Sequence, residues 1–270
     1  MLDLIRADLK RVVSDRLFLV VCLIAAALAV VSPLLYGALA LLAGEEMELA
    51  LSMMGVTLSG RSMFFDALVP GNNAGLIVPV FLVILLSKDF TWGTVRNKIV
   101  TGKSRDRIFL SLFATAACVT LGVMLAQAIL SSLVGSLIFG FQPEAFTAAD
   151  FGYLALSVLF EVLLYLMIAA LVSFITVLSP NMGVGIVLYV AVTMLFTLVG
   201  GLTSSAVFLF EETPLWLEIV NRANLFTSHV IGGGTAYSPE DVLYILIPTL
   251  AGTALFTLGG MLIFRKKDLK

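Results

Sequence analysis

Three features of the sequence predict an all-α integral membrane protein, with six transmembrane helices, an N-terminal amphipathic helix on the inner surface and both termini cytoplasmic. The chain has 270 residues, of which 60% are hydrophobic and only 13% charged, more apolar material than one soluble core needs. Apolar runs approaching the ~20 residues that cross a bilayer recur along it. Finally, 14 of its 16 Lys and Arg residues fall into three clusters that alternate spans would gather on one face.

In the leader, Leu2, Ile5, Leu9 and Val12 recur at helical spacing while Asp3, Arg6 and Lys10 lie elsewhere on the wheel. Residues 1–16 therefore read either as a helix along the inner surface or as a leader that only sets topology. The first span runs from Leu17 to Ala40. Its length, and Asp3, Asp8 and Asp15 before it, mark an uncleaved span and not a signal peptide. The second, Asn73 to Ser87, is the shortest and contains Pro79, so a start near Ala67 is the alternative. The third covers Ile108 to Phe139. The fourth, Tyr153 to Leu178, is opened by the capping-box pattern of Thr147 and Asp150. Pro180 and Asn181 turn the chain into the fifth, Gly183 to Phe208, where Gly183, Gly185, Gly200 and Gly201 would allow close packing. Ser238, Pro239 and Asp241 open the sixth, Val242 to Phe264. Between the last two spans, Leu215, Ile219 and Leu225 or Phe226, with Trp216 beside them, suggest a short helix, either dipping into the outer leaflet or lying on the surface. The whole of 1–270 is one membrane domain.

Lys and Arg near span ends are retained on the cytoplasmic side. Arg6, Lys10, Arg11 and Arg16 precede the first span, Lys88, Arg96, Lys98, Lys103, Arg105 and Arg107 follow the second, and Arg265, Lys266, Lys267 and Lys270 follow the sixth. Only Arg61 and Arg222 fall opposite, among Glu45, Glu46, Glu48, Asp66, Glu144, Asp150, Glu211, Glu212, Glu218, Glu240 and Asp241. Basic residues in this setting are topology signals or contacts to anionic membrane lipids, which sets aside a nucleic-acid partner. Cys22 and Cys118 each lie within a span, and the single His229 lies outside them, so neither a disulfide nor a metal site is expected.

Residues 101–107 read TGKSRDR, whose GKS matches the end of a phosphate-binding loop. That loop needs an earlier glycine where Asn97 stands, and it should follow a buried strand. The inner connection instead punctuates a short helix. Gly93 ends one helix and Thr94 caps the next; Trp92, Val95 and Ile99 share a face with Arg96 and Lys98 directed elsewhere; Gly102 ends it and Ser104 caps the third span, with Asp106 in its first turn. Such an element either passes force between a soluble partner and the membrane or serves only as a basic topology signal.

The run KDFTWGTVRNKIVTGKSR resembles the inner connection of the type-2 ABC exporter permeases: an acidic residue (Asp89), a Gly-Thr pair (Gly93, Thr94), a short basic segment, then a Ser-Arg pair (Ser104, Arg105). The ending IFRKKDLK and the leader followed by SDRLF are similar to the family's two ends. Asp89 departs from the Glu carried by many members but keeps the charge. The resemblance implies a permease subunit of the bacterial plasma membrane that pairs with a second permease subunit, identical or not. It also implies two copies of a separate ATPase that bind ATP and Mg, so that this chain is no enzyme and carries no cofactor. The implied contact with that ATPase is Asp89, Phe90, Trp92, Gly93, Thr94, Val95, Arg96, Lys98, Ile99, Lys103, Ser104 and Arg105.

Glu161 is the one carboxylate well inside a predicted span. An acid at that depth either lines a translocation route or makes a structural hydrogen bond to a neighbouring span. A secondary transporter or channel working without an ATPase is the alternative function, and Glu161 is what speaks for it. The outer connections do not select a substrate.

Overall fold

In the computed structural model, residues 1–44, 58–71, 75–142, 147–207, 209, 213–224 and 237–267 are described. Among them are ten helices and no strands. Five are long and apolar enough to cross a membrane: α2 (Arg16–Ala43), α6 (Arg105–Phe139), α7 (Ala148–Leu178), α8 (Met182–Val207) and α10 (Pro239–Lys266). They match the first, third, fourth, fifth and sixth expected spans to within a few residues. α1 (Leu2–Ser14) precedes them, and α4 (Ile77–Thr91) and α5 (Thr94–Val100) stand between α2 and α6. The 15 residues of α4 reach about 22 Å, short of the ~30 Å hydrocarbon layer. Together with α5, bent 54° from it, α4 has the apolar length of a sixth crossing.

Local chemistry explains the ends. Thr147 with Asp150 and Ser238 with Asp241 form reciprocal capping boxes, and Pro239 takes the first position of α10. Asn181 caps α8 by accepting from the Gly183 and Val184 amides at 2.9 and 3.2 Å. The alternative start of the second span near Ala67 is not adopted. Val69 is extended (φ −66°, ψ 125°), as steric conflict with Pro70 requires, and it separates α3 (Gly60–Leu68) from α4. Asn73, the other proposed start, lies outside the described residues, as do Phe208, Leu225, Phe226 and His229.

α6 packs on α1, α2, α3, α4, α5, α7 and α10, and it shares the core with α7, which packs on α3, α4, α6, α8 and α10. In α7, Leu164, Tyr165, Ile168, Ala169, Ala170 and Val172 are all buried. Glycines set some of these spacings. A Cβ on Gly260 would lie 2.5 Å from the Phe109 ring, and one on Gly185 2.8 Å from Val83. Gly201, grouped with the close-packing glycines in the sequence, faces open space instead.

The bundle has two ends of opposite character. α1, α5, the start of α6 and the ends of α7 and α10 gather at a basic end. Two short helices enter from the acidic end. α3 starts beside the end of α6, where the Gly60 amide donates to the Gly140 carbonyl at 2.9 Å. Arg61 pairs with Asp150 at 2.5 Å. α3 ends halfway along α7, where the Leu68 carbonyl accepts from the Tyr165 hydroxyl at 3.2 Å. α9 (Leu215–Ala223) descends along α8: Asn221 accepts from Ser204 at 2.8 Å, and Asn224 donates to the Phe196 carbonyl at 2.6 Å. The short helix expected for this segment is present and lies against α8, with Trp216 exposed.

Candidate coupling site at the basic end

α4 stops because Gly93 adopts φ 71° and ψ 10°, a left-handed conformation open to glycine and costly for a residue with a side chain. Gly93, and not Thr94, is then the cap of α5. Its carbonyl already accepts from the Asn97 amide at 2.9 Å, which leaves Thr94 as the first helical residue with no side-chain cap bond. At the far end Gly102 has φ 82°. Its amide donates to the Ile99 carbonyl at 2.9 Å and the Lys103 amide donates to Lys98 at 3.1 Å, the paired bonds of a glycine-terminated helix. Ser104 is extended at the start of α6 without a side-chain cap bond. The GKS stretch is thus the close of one helix and the opening of the next.

Val95 is 1% exposed and packs with Ile108, Phe109, Val177 and Phe264, with Phe90 and Ile99 beside it. Three long helices, α6, α7 and α10, therefore meet under one turn of α5. Trp92 does not share this face. It is 68% exposed, with the Lys88 ammonium 5.6 Å from its ring. A helical register carried through Gly93 predicts the wrong side, because a left-handed residue breaks that register. Arg96, Val100, Lys103 and Ser104 join Trp92 on the open surface.

Other members of the expected contact turn inward. Lys98 donates to Asp8 at 2.7 Å, and Ser111 donates to the other Asp8 oxygen at 2.7 Å. Asp89, 1% exposed, is clasped by Arg11. Lys88 donates to Asp15 at 3.0 Å. Asp15 also accepts from the Leu17 amide at 2.9 Å, capping α2. Burial raises the Asp15 carboxyl, but the Leu17 amide and Lys88 outweigh it and hold the group below its ordinary value. Arg105 donates to the Phe264, Arg265 and Lys267 carbonyls at 3.0, 2.8 and 2.6 Å. Lys267 donates to the Leu178 carbonyl at 3.1 Å and to that of Val177. Two cations thus satisfy the last carbonyls of α10 and α7.

α1 is consequently docked on the bundle and not merely laid against a membrane. Its buried residues are Leu4, Asp8 and Val12, a ridge rotated from the expected face of Leu2, Ile5, Leu9 and Val12, and Leu2 is exposed. The rotation follows the ion pairs, which draw Asp8 inward. Asp8, Arg11, Asp15, Lys88 and Ser111 are the site residues that sequence reasoning missed. The available signal was Asp8 itself, spaced by four from both Leu4 and Val12.

Glu161 lies far from this site, fully buried in the middle of α7. It sits on the stripe Tyr153, Ser157, Glu161, Tyr165, whose spacing of four keeps it on one face. Tyr237, arriving just before α10, stacks on Tyr153 at 4.8 Å and shares a 2.7 Å hydrogen bond with Ser157. Among the described residues no group of three or more His, Cys, Asp or Glu is placed to hold a metal ion.

A protein of Bacillus subtilis (strain 168) called "Uncharacterized protein YhcI" is 24% identical over 210 residues, which cover 72% of this chain and 64% of the relative. The chain thus spans less than two thirds of that relative's length. No solved structure matches. A family profile described as "Protein of unknown function (DUF2705)" matches residues 18–270, and the chain belongs to that family.

Proposed function

We propose that this chain is the membrane-spanning permease subunit of an ATP-driven ABC exporter, working as a pair of permease subunits with two copies of a separate ATPase. In this reading the bundle crosses the plasma membrane six times, with the basic end in the cytoplasm. α5 receives the ATPase. One observation carries the reading: α5 presents Arg96 and Val100 outward, with Trp92 and Lys103 exposed on either side of it, while Val95 bears on the ends of α6, α7 and α10. A push on its open face is delivered to three long helices at once. Closure of the ATPase would then bias the bundle between two states, by as much as the ATPase binds one more tightly than the other.

The expected contact divides into two roles. Trp92, Gly93, Thr94, Arg96, Lys103 and Ser104 form the docking surface. Asp89, Phe90, Val95, Lys98, Ile99 and Arg105 tie that surface to α1, α6 and α10 and transmit its movement. The test is to purify the tagged chain in mild detergent and measure Mg-dependent ATP hydrolysis of what co-purifies. Nucleotide-hydrolysing activity that is lost with Trp92→Asp and Arg96→Glu supports the reading. A chain that transports in vesicles on an ion gradient, with no second protein, replaces it with a secondary transporter or channel. Glu161 at mid-helix and two short helices entering from the acidic end favour that second reading.

A further inference from the structure

A cleft of about 350 Å³ lies between α1, α2 and α6, lined by Leu9, Val13, Phe18, Cys22, Gly122 and Gln127 among others. Its walls run from Phe18 to Ala26 on α2 and from Cys118 to Leu130 on α6, roughly 12 and 18 Å at 1.5 Å per residue. α1 floors it. Toward the acidic end it is shut, where a Cβ on Gly37 would come within 3.1 Å of Ile138. The volume equals that of about a dozen waters. One amide and two thiols among apolar walls cannot hydrogen-bond them, so the cleft does not suit water. A helix about 10 Å across would need more than twice the volume over the same length. A single unbranched hydrocarbon chain fits both the width and the depth.

The mouth carries charge of one sign. Arg6 and Lys10 each lie three residues before a lining residue, Leu9 and Val13, on one side of α1. Arg16 stands two residues before Phe18. All three are exposed and make no ion pair among the described residues. Asp8 and Asp15 are already engaged by Lys98, Ser111 and Lys88. Only Asp3 remains as an exposed acid on α1, so the surplus at the mouth is positive.

We infer that this cleft is a binding site for an anionic phospholipid, with one acyl chain between α2 and α6 and the headgroup over Arg6, Lys10 and Arg16. The proposed orientation matters only for which leaflet supplies the lipid. Each basic side chain near a headgroup is worth about fivefold in affinity. The full chain is reconstituted in phosphatidylcholine vesicles containing one-tenth of either a phosphatidylglycerol or a phosphatidylcholine with a photoactivatable group at mid-chain, and labelled peptides are mapped. Label concentrates on 18–26 and 118–130, at least fivefold more from phosphatidylglycerol. Arg6→Gln, Lys10→Gln and Arg16→Gln together bring the two lipids level. Gly122→Leu, whose Cβ meets no atom within 4 Å, removes cleft label while leaving label on the exposed face of α8, which verifies that the variant folds. Equal cleft labelling of the native chain by both lipids overturns the inference, as do cleft cross-links to a second copy of the chain or full labelling of Gly122→Leu.

Discussion

Asp8→Ala removes the acceptor that holds α1 to the basic end. The Asp8 side chain is 3% exposed and receives Lys98, itself 14% exposed, and Ser111. Deleting one partner of a buried charge pair costs about 3–5 kcal/mol, and a stranded hydroxyl adds to it. Lys98 is long enough to swing its ammonium to water, so we place the net cost at about 2–3 kcal/mol, at and below the lower end of that range. The readout is a cysteine at Val12, 1% exposed, in a chain carrying Cys22→Ala and Cys118→Ala. A maleimide reaches position 12 only when α1 lifts, so its labelling rate follows the lifted population. The rate should rise about 30- to 140-fold in Asp8→Ala. Asp8→Asn keeps an acceptor for Ser111 and loses the charge, for about a fivefold rise. Lys98→Ala on top of Asp8→Ala should add little, because the stranded ammonium is gone. A rate within twofold of the parent in Asp8→Ala would show that apolar contacts alone dock α1, and the ionic account would be wrong.

Four further outcomes are expected. Gly102→Val forces a branched side chain to φ 82° and should cost about 1–2 kcal/mol or more, read as a lower melting temperature in detergent; Lys103→Ala, whose side chain is exposed, should stay within about 0.5 kcal/mol and leave ATP binding by any partner intact. Trp92→Asp should leave the chain's own stability unchanged while abolishing co-purified ATPase activity, and equal activity would mean that the exposed indole is not an anchor. Glu161→Gln should fold and Glu161→Lys should not, by size-exclusion profile, since the site is fully buried; a well-folded Lys variant would mean that the site opens to water. A cysteine at the exposed Thr147 should react with an impermeant thiol reagent in intact cells, and ones at the exposed Ser14 and Thr101 should not. Labelling of Thr101 from outside would reverse the proposed orientation.

The features that were legible in the sequence are those fixed within a few residues. The capping boxes at Thr147 and Ser238 and the breaks at Gly93 and Gly102 are local chemistry, and the long helices follow from apolar length. What escaped notice is set across the chain. α3 is nine residues opened by Ser59 and Ser62, too short for periodicity to stand out. Its depth depends on Tyr165, 97 residues later. The docking of α1 depends on pairs 73 to 103 residues apart. A count of basic residues reads Lys88 and Lys98 as topology signals and passes over Asp8 and Asp15, whose partners they are. Trp92 was misplaced for the opposite reason: a local rule was carried across a residue at which it no longer applied. The burial of Glu161 was readable, whereas its stripe with Tyr153, Ser157 and Tyr165 required knowing which face of α7 turns inward.

The bond between Tyr165 and the Leu68 carbonyl also has a bearing on biogenesis. A helix of nine residues is too short to be handed to lipid as a crossing in its own right, and a carbonyl freed at its end is costly in hydrocarbon. The hydroxyl that satisfies Leu68 is synthesised 97 residues later, about 5–20 s at ordinary elongation rates. Throughout that interval α3 has α6, its principal partner, to lie against, but the carbonyl at its inner end waits for α7 to leave the ribosome. A pause or truncation before Tyr165 would therefore leave α3 docked at its start on α6 and unsatisfied at its end.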